Sequence, residues 1–226
     1  MMNFDKTLLD YIGDISQIAG FKRYQFTSGR AQGVDAIDVN NGAGLQATVL
    51  MSRGMDIGQL SFLGIPISFM SRSGIVAPNY YNDRDLEWLG SFSGGFLTTC
   101  GLTSAGEPCC FNGKEYGLHG NISNLPAELV RIDEGWDGSA YKMELCGIVR
   151  QACHQNEFLT LKRTISTTMG ENKLLIHDVI FNQGAAKAPF MIIYHMNFGY
   201  PFLNPKTELV LPLRETVGWD ETSEKN

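Results

Sequence analysis

The sequence predicts an all-β fold, a sandwich or a barrel of antiparallel strands, formed by a single domain over residues 1–226. Two observations predict it. Short segments in which apolar and polar residues alternate recur along most of the chain, and turn signals separate them roughly every eight to twelve residues. Helix-like spacing of apolar residues is confined to one segment near the N-terminus. Strands that follow one another in this way argue against alternating β-α units.

The N-terminal segment 7–20 carries the helical pattern. Its apolar residues recur at helix-like spacing: Leu8, Leu9, Ile12 and Ile15. Gly13 weakens the pattern, because glycine in a helix interior is unfavourable. We therefore expect a short helix or an arm over about residues 1–20. At the other end, residues 215–226 are polar and are expected to form a solvated tail.

Predicted strands occupy most of the remaining chain. In order they cover 21–26, 34–39, 45–50, 56–62, 65–69, 96–102, 127–132, 140–149, 158–166, 173–181, 190–196 and 209–213. Asn40-Asn41-Gly42 and Asp137-Gly138 are strong turn signals between successive strands. The segment 96–102 is apolar enough to be buried on both faces. In the segment 158–166 apolar and polar residues alternate, which places Lys162 and Thr164 on the solvent-exposed face.

Residues 70–95 break the β pattern. Aromatic residues, Asn and Gly are dense in this segment, and no period holds. We expect a long excursion that includes one helical turn, and ordered loops of this kind often line a functional site.

Composition limits the classes of partner. Lys and Arg number 18 against 24 Asp and Glu, a net charge of −6, whereas nucleic-acid-binding proteins usually carry a basic face. The sequence has no apolar run of about 18 residues, so we expect no membrane-spanning helix. The N-terminus lacks the basic region and apolar run of a secretory signal. These features predict a cytoplasmic protein without nucleic-acid or membrane partners.

Cysteine usage favours reduced thiols. The five cysteines are an odd number, and no Cys-x-x-Cys is present. This pattern is unlike a disulfide framework or a zinc site. We expect the cysteines to be packing residues among apolar neighbours.

Two irregular segments, 116–126 and 194–201, contain the leading candidates for chemistry. The first combines His119 with two glycines, two asparagines, a serine and a proline, which is poor for a helix and for the middle of a strand. The second carries His195. We expect the two imidazoles to meet in one pocket. The alternatives are that His119 bonds only its own turn, and that His195 faces solvent or is satisfied in the core.

The remaining residues narrow the chemistry further. His154 and His177 are expected at the surface of a turn and a strand. The spacing of the histidines and cysteines matches no zinc motif, and no nucleophile elbow or phosphate loop is present. Around the two leading histidines the polar candidates are Arg53, Asn121, Asn124 and Asn197. Amides, a guanidinium and aromatic faces suit a sugar ring, although this set alone is not specific.

Four motifs resemble a known family. They are Arg53-Gly54-Met55-Asp56-Ile57-Gly58, Gly95–Leu102, Gly117–Pro126 and Tyr194–Pro201. In this order they resemble the bacterial aldose 1-epimerase-like, or galactose-mutarotase-like, proteins, and within them a branch related to deoxyribose mutarotase. The resemblance runs from about residue 14 to residue 214.

The resemblance implies both a fold and a reaction. The fold is a large antiparallel β-sandwich with the sugar site on a concave sheet face. The reaction interconverts the α and β anomers of a free sugar. A carboxylate base removes the proton of the anomeric hydroxyl while an acid protonates the ring oxygen, the ring opens, and closure on the other face reverses the roles. Histidine suits such acid–base work near neutral pH, and no metal or cofactor is required.

The resemblance also implies roles for individual residues. His119 matches the histidine that binds the sugar near the ring oxygen, and His195 matches the general acid. The substrate-binding candidates are Arg53, Asn121 and Asn197. We expect Asp56 to be structural, because an aspartate in a turn commonly accepts backbone hydrogen bonds.

One departure from the family pattern concerns the general base. The family uses a glutamate in a Glu-Pro segment near the C-terminus, and Glu208, Glu215 and Glu221 do not match it. We therefore expect the chain to be truncated, with bare sheet edges that favour a homo-oligomer. Three hypotheses follow: a mutarotase completed by a longer chain, a non-catalytic carbohydrate-binding or sensing domain, and a fragment that folds only with a partner. The sequence does not determine which sugar is bound.

Overall fold

The structure, a computed structural model, describes residues 4–154, 157–215, 217, 218, 221 and 224. It confirms the all-β fold. The strands are β1 (Gly20–Gln25), β2 (Asp35–Asn40), β3 (Leu45–Leu50), β4 (Asp56–Phe62), β5 (Ile65–Pro66), β6 (Phe69–Met70), β7 (Gly94–Gly95), β8 (Leu97–Leu102), β9 (Cys109–Phe111), β10 (Lys114–Tyr116), β11 (Ala127–Asp137), β12 (Ala140–Ala152), β13 (Phe158–Thr168), β14 (Leu175–Asn182) and β15 (Met191–Met196).

Two antiparallel sheets form a sandwich. The first has the strand order β1-β2-β3-β4-β8-β15 with β5 beside β4, and the second has the order β11-β12-β13-β14. Two small hairpin-like sheets, β6-β7 and β9-β10, lie outside them. The core between the large sheets includes Ile37, Val49, Ile57, Leu97, Met143, Leu145 and Ile165. Burying these side chains away from water is the main force that holds the sheets together.

The register of the first sheet decides which side chains face away from this core. Leu97 of β8 lies opposite Ile57 of β4, and both belong to the core. Successive side chains of a strand point to opposite faces, so Thr98 faces outward. His195 of β15 lies directly opposite Thr98 and shares that outer face.

The expected N-terminal helix is corrected to two short turns. The helices of the described residues are all 3-10 helices: Lys6–Asp10, Ile15–Gln17, Gly29–Ala31, Pro78–Tyr80, Glu87–Ser91 and Ile122–Asn124. The side chains of Asp5 and Asp14 each accept a hydrogen bond from a backbone N–H at the start of the first two helices. The Asp14 cap begins a new turn just after Gly13, which breaks the segment in two. None of these helices is long and apolar enough to cross a membrane.

Two other segments differ from expectation. Residues 209–213 were expected to form a strand and do not; Leu209 and Val210 are 82% and 86% exposed, and no strand of the described chain pairs with them. Without a partner an isolated strand has no ladder hydrogen bonds. Conversely, the loop expected before His119 contains the β9-β10 hairpin. Asn112 and Gly113 form its turn with φ values of 51° and 75°, as the Asn-Gly pair favours.

A buried ionic network joins the two sheets. Arg163 of β13 is fully buried and donates to Asp56 at 3.0 Å and to both carboxylate oxygens of Asp178 at 2.9 and 2.8 Å. Asp56 also accepts from the backbone N–H and the hydroxyl of Thr99 at 3.0 and 2.6 Å. The Tyr194 hydroxyl donates to Asp178 at 2.9 Å. Asp56 was expected to accept hydrogen bonds within its own turn, but its partners are Thr99 on β8 and Arg163 on β13.

The cysteines divide into two groups. In the described chain none of the five cysteines forms a disulfide. Cys100 and Cys146 are buried, whereas Cys109, Cys110 and Cys153 are exposed. The expectation that the cysteines pack in apolar surroundings therefore holds for two and is wrong for three, because the unpredicted hairpin and the end of β12 carry the others to the surface.

Candidate functional site

The structure brings His119 and His195 together on the outer face of the first sheet. Their ring centroids are 5.8 Å apart and the rings are nearly perpendicular, at 78°. His195 reaches this place from β15, and His119 reaches it from the loop after β10. His119 has a φ of 60°, a conformation that non-glycine residues rarely adopt and that often marks a functional constraint.

Two aromatic residues form a wall beside the histidines, which we call the aromatic wall. Trp88 stacks on Phe92 with ring centroids 4.8 Å apart. Trp88 contacts His119 edge to face at 4.9 Å, and Phe92 contacts His195 at 5.7 Å. Both wall residues come from the excursion 70–95. The sequence indicated this segment as site-lining, but it did not single out Trp88 or Phe92.

The excursion also holds the backbone of the His119 loop. The Tyr81 hydroxyl donates to the Gly120 carbonyl at 3.1 Å. The backbone N–H of Leu118 donates to the Asp85 carbonyl at 2.9 Å. These contacts lie immediately before and after His119, so they fix the point from which the imidazole projects.

Further backbone contacts fix His119 on its other side. Its N–H donates to the Gly106 carbonyl at 2.9 Å, and its carbonyl accepts from the N–H of Gly101 at 3.0 Å. The Gly106 N–H donates to Nδ1 of the imidazole at 3.2 Å. A Cβ on Gly120 would lie 2.5 Å from the carbonyl oxygens of both Gly101 and Ser104, so this position requires glycine.

The electrostatic surroundings favour a neutral His119. Burial and, after it, the neighbouring His195 lower the pKa of His119 below its ordinary value, while the charge of Glu107 acts in the opposite direction. By contrast, the ring of His195 forms no hydrogen bond with the described residues, so both its nitrogens are free for a ligand. The pair therefore combines a fixed ring with an unengaged one.

Arg53, a predicted substrate-binding residue, is buried. Its side chain is 2% exposed, and Nη1 donates to the carbonyl of Val76 at 2.7 Å. Burial lowers the pKa of Arg53 to about 10, and the charge of Asp56 acts in the opposite direction. The guanidinium still carries its charge at neutral pH. In this geometry Arg53 supports the chain around Val76, and the structure does not bring it to the surface with the histidines.

The three predicted amides have different surroundings. Asn197 donates from Nδ2 to the carbonyl of His195 at 3.2 Å, which steadies the end of β15. Asn124 accepts from the Ser91 hydroxyl at 3.3 Å and links the aromatic-wall helix to the His119 loop. Asn121 lies two residues after His119, and its Oδ1 is buried without a hydrogen-bond partner among the described residues. Asn121 therefore has a buried acceptor without a partner among the described residues.

The other histidines lie apart from this pair. His154 and His177 are exposed, as expected for turn and strand surfaces. Within the described residues no group of three or more His, Cys, Asp or Glu side chains could hold a metal ion. The polar chemistry of the site is accordingly that of two imidazoles beside aromatic rings and amides.

Comparison with known proteins identifies one matching family and several solved structures that share the fold. A family model described as "Domain of unknown function (DUF4432)" matches residues 31–226. A solved structure from Klebsiella pneumoniae, provisionally described as an aldose 1-epimerase, is 26% identical with a TM-score of 0.76. The alignment covers 87% of this chain and 51% of that chain. No curated protein matches the sequence.

Two more distant structures share the fold. A galactose mutarotase-like protein from Clostridium acetobutylicum is 15% identical with a TM-score of 0.54, and the alignment covers 84% of this chain and 56% of that one. A protein from Synechocystis is 17% identical with a TM-score of 0.51, covering 78% and 57%. The chain thus spans about half the length of the structures it matches.

Proposed function

Because the chain belongs to the family described as Domain of unknown function (DUF4432) and has the mutarotase-like fold, we propose that it forms the acid side of a site that interconverts the anomers of a free sugar. The observation that carries the proposal is the meeting of His119 and His195 at 5.8 Å beside the aromatic wall. The four sequence motifs support a further proposal, that the chain belongs to the branch related to deoxyribose mutarotase.

In this proposal His195 is the general acid. Its ring is partly buried, is packed against Phe92 and forms no hydrogen bond with the described residues. It can therefore carry a proton to the ring oxygen of a sugar and take it back when the ring closes. His119 binds the sugar, and the unpaired Oδ1 of Asn121 supplies an acceptor for a hydroxyl group. A direct contact between Arg53 and the sugar requires the chain around Val76 to move.

The alternative is a carbohydrate-binding domain without catalysis. One observation favours it: within the described residues neither imidazole is hydrogen-bonded to a carboxylate. Glu107 acts on His119 through its charge, but its side chain is exposed. Loss of the base from an acid–base pair typically slows a reaction on the order of 10²–10⁴-fold. A carboxylate supplied from outside the described residues would restore the mutarotase activity.

Exchange NMR between sugar anomers tests the proposal. The panel comprises common aldoses and 2-deoxyribose, measured with the 226-residue chain and with any longer natural form that encloses it. We expect accelerated exchange for at least one sugar, reduced by on the order of 10²-fold or more in His195→Ala. The matched control is His177→Ala, an exposed histidine away from the site, which should leave exchange unchanged. If both chain lengths bind a sugar without accelerating its exchange, the carbohydrate-binding alternative replaces catalysis. If neither chain length binds a sugar or accelerates exchange, both candidate functions are refuted.

Two further properties are part of the proposal. The net charge of −6 and the lack of disulfides in the described chain support a cytoplasmic location. The outer edges of β14 and β15 are unpaired within the described chain, which supports association of copies into a homo-oligomer. Sedimentation at several concentrations tests the second property, and a monomer at all of them would rule it out.

A further inference from the structure

We propose that the backbone amide of Gly106 fixes the tautomer of His119, so that the neutral imidazole carries its proton on Nε2 and donates it to the ligand. The identity of the recipient, an oxygen of the sugar, rests on the proposed function. The tautomer itself follows from the geometry of the loop and is testable without any sugar.

The first step is the direction of one hydrogen bond. The Gly106 nitrogen lies 3.2 Å from Nδ1 of His119. A backbone N–H can only donate, so Nδ1 must present a lone pair. In a neutral imidazole one nitrogen is the donor and the other the acceptor. The proton of neutral His119 is therefore on Nε2.

The second step is that the flipped orientation of the His119 ring is unfavourable. Gly106 and His119 exchange a second hydrogen bond, from the N–H of His119 to the Gly106 carbonyl at 2.9 Å. Both residues have positive φ values, 93° and 60°. A half-turn of the ring would place Cδ2 against the Gly106 amide. That carbon cannot accept, and a partly buried donor left unpaired is costly.

The third step concerns protonation. An imidazolium carries N–H on both nitrogens, so protonated His119 would point a donor at the donor of Gly106. The charged groups that act on the ring are His195, which with burial disfavours a positive charge, and Glu107, which favours it. Trp88, packed against the ring at 4.9 Å, brings no charge. Protonation of His119 is therefore coupled to loss of the Gly106 bond.

The consequence is a division of labour within the pair. His119 has one open nitrogen, which always donates, and suits a ring oxygen or hydroxyl oxygen of the ligand. The ring of His195 forms no hydrogen bond with the described residues, so a ligand can use either of its nitrogens. His119 is thus a hydrogen-bond donor at Nε2 beside the proposed acid His195, with Gly106 as the positioning residue.

The primary test is a long-range ¹H–¹⁵N spectrum of the imidazoles in the wild-type chain at neutral pH without sugar. We expect Nε2 of His119 to have the shift of a protonated nitrogen and Nδ1 that of an acceptor nitrogen. The Gly106 amide proton should be protected from exchange and should lose that protection as His119 is titrated with acid. A proton on Nδ1, a mixture of tautomers, or a Gly106 amide that ignores the titration would overturn the proposal.

A pair of substitutions tests the same point through binding. In His119→Gln the side-chain amide nitrogen reaches the position of Nε2, whereas in His119→Asn it reaches only the position of Nδ1. We expect His119→Gln to keep sugar affinity roughly tenfold better than His119→Asn, a difference equal to about one hydrogen bond. Equal or reversed affinities in folded variants would contradict the assignment. If no sugar binds the wild type, the proposed function fails, and the spectrum alone decides the tautomer.

Discussion

His119 and His195 lie 5.8 Å apart but are held by opposite means. His119 sits in a loop whose backbone is bonded on several sides, and its ring is fixed at Nδ1. His195 sits on β15, which pairs with β8 on one side and has no partner on the other within the described chain. Its neighbours Ile193 and Met196 are 41% and 49% exposed. An irregular loop can therefore aim a side chain more firmly than a regular strand does at a sheet edge.

The edge strand has its own anchor on the opposite face. Tyr194 alternates with His195 and reaches across to Asp178 on β14. Burial and then this hydrogen bond raise the pKa of Tyr194 to about 12, so the hydroxyl keeps its proton and donates at neutral pH. Arg163 holds Asp178 in turn. The strand that carries His195 is thus tied to a buried ionic network between the sheets, whereas the loop that carries His119 is held by backbone hydrogen bonds.

The largest expected effect comes from breaking the network that supports β15. Arg163→Ala leaves the carboxylates of Asp56 and Asp178 buried without their cation, and we expect a loss of about 3–5 kcal/mol in the free energy of unfolding. Urea denaturation measures it. The matched control is Arg150→Ala, whose exposed ion pair with Glu128 is worth at most about 1 kcal/mol. Equal losses in the two variants would show that the network does not anchor the sheets.

The next largest effect is a loss of stability from a substitution in the His119 loop. Gly120→Ala combines a φ of 68° with contacts of 2.5 Å to two carbonyl oxygens, and we expect a loss of about 2–4 kcal/mol in unfolding free energy. The control is Gly113→Ala, which has a similar φ of 75° and no atom near the new Cβ. It should lose only about 1 kcal/mol. If Gly120→Ala is no worse than the control, the close backbone approach does not constrain the loop.

A smaller effect distinguishes the support of His195 from that of His119. Tyr194→Phe removes the hydroxyl that ties β15 to Asp178, and we expect it to cost about 1 kcal/mol. The imidazole signals of His195 should broaden or shift in NMR spectra, while those of His119 should stay unchanged. Tyr11→Phe, at an exposed position, is the control. A change at His119 as large as that at His195 would mean that the two supports are not independent.

The sequence predicted the strands well and the site only in part. β3 and β4 have their predicted bounds because alternation is a local property of the chain. The clean alternation of β13 placed Lys162 on the wet face, and its neighbour Arg163 therefore faces the core, a signal that was missed. The two histidines were predicted as site residues from the motifs that contain them. The place of Trp88 could not be predicted, because it depends on the path of an excursion without periodicity.

The smallest expected effect is a pH dependence of the free energy of unfolding, which comes from the imidazole of His119. The pKa of His119 is lowered in the folded state, so the unfolded chain binds its proton first as pH falls. This contribution to stability is full above the ordinary value of 6.5, declines below it, and levels off once pH passes the lowered folded pKa. Urea midpoints across this range should therefore decline more in the wild type than in His119→Gln, which cannot titrate there. Identical pH profiles would mean that the loop does not hold His119 neutral, and that the contrast with His195 is one of position alone.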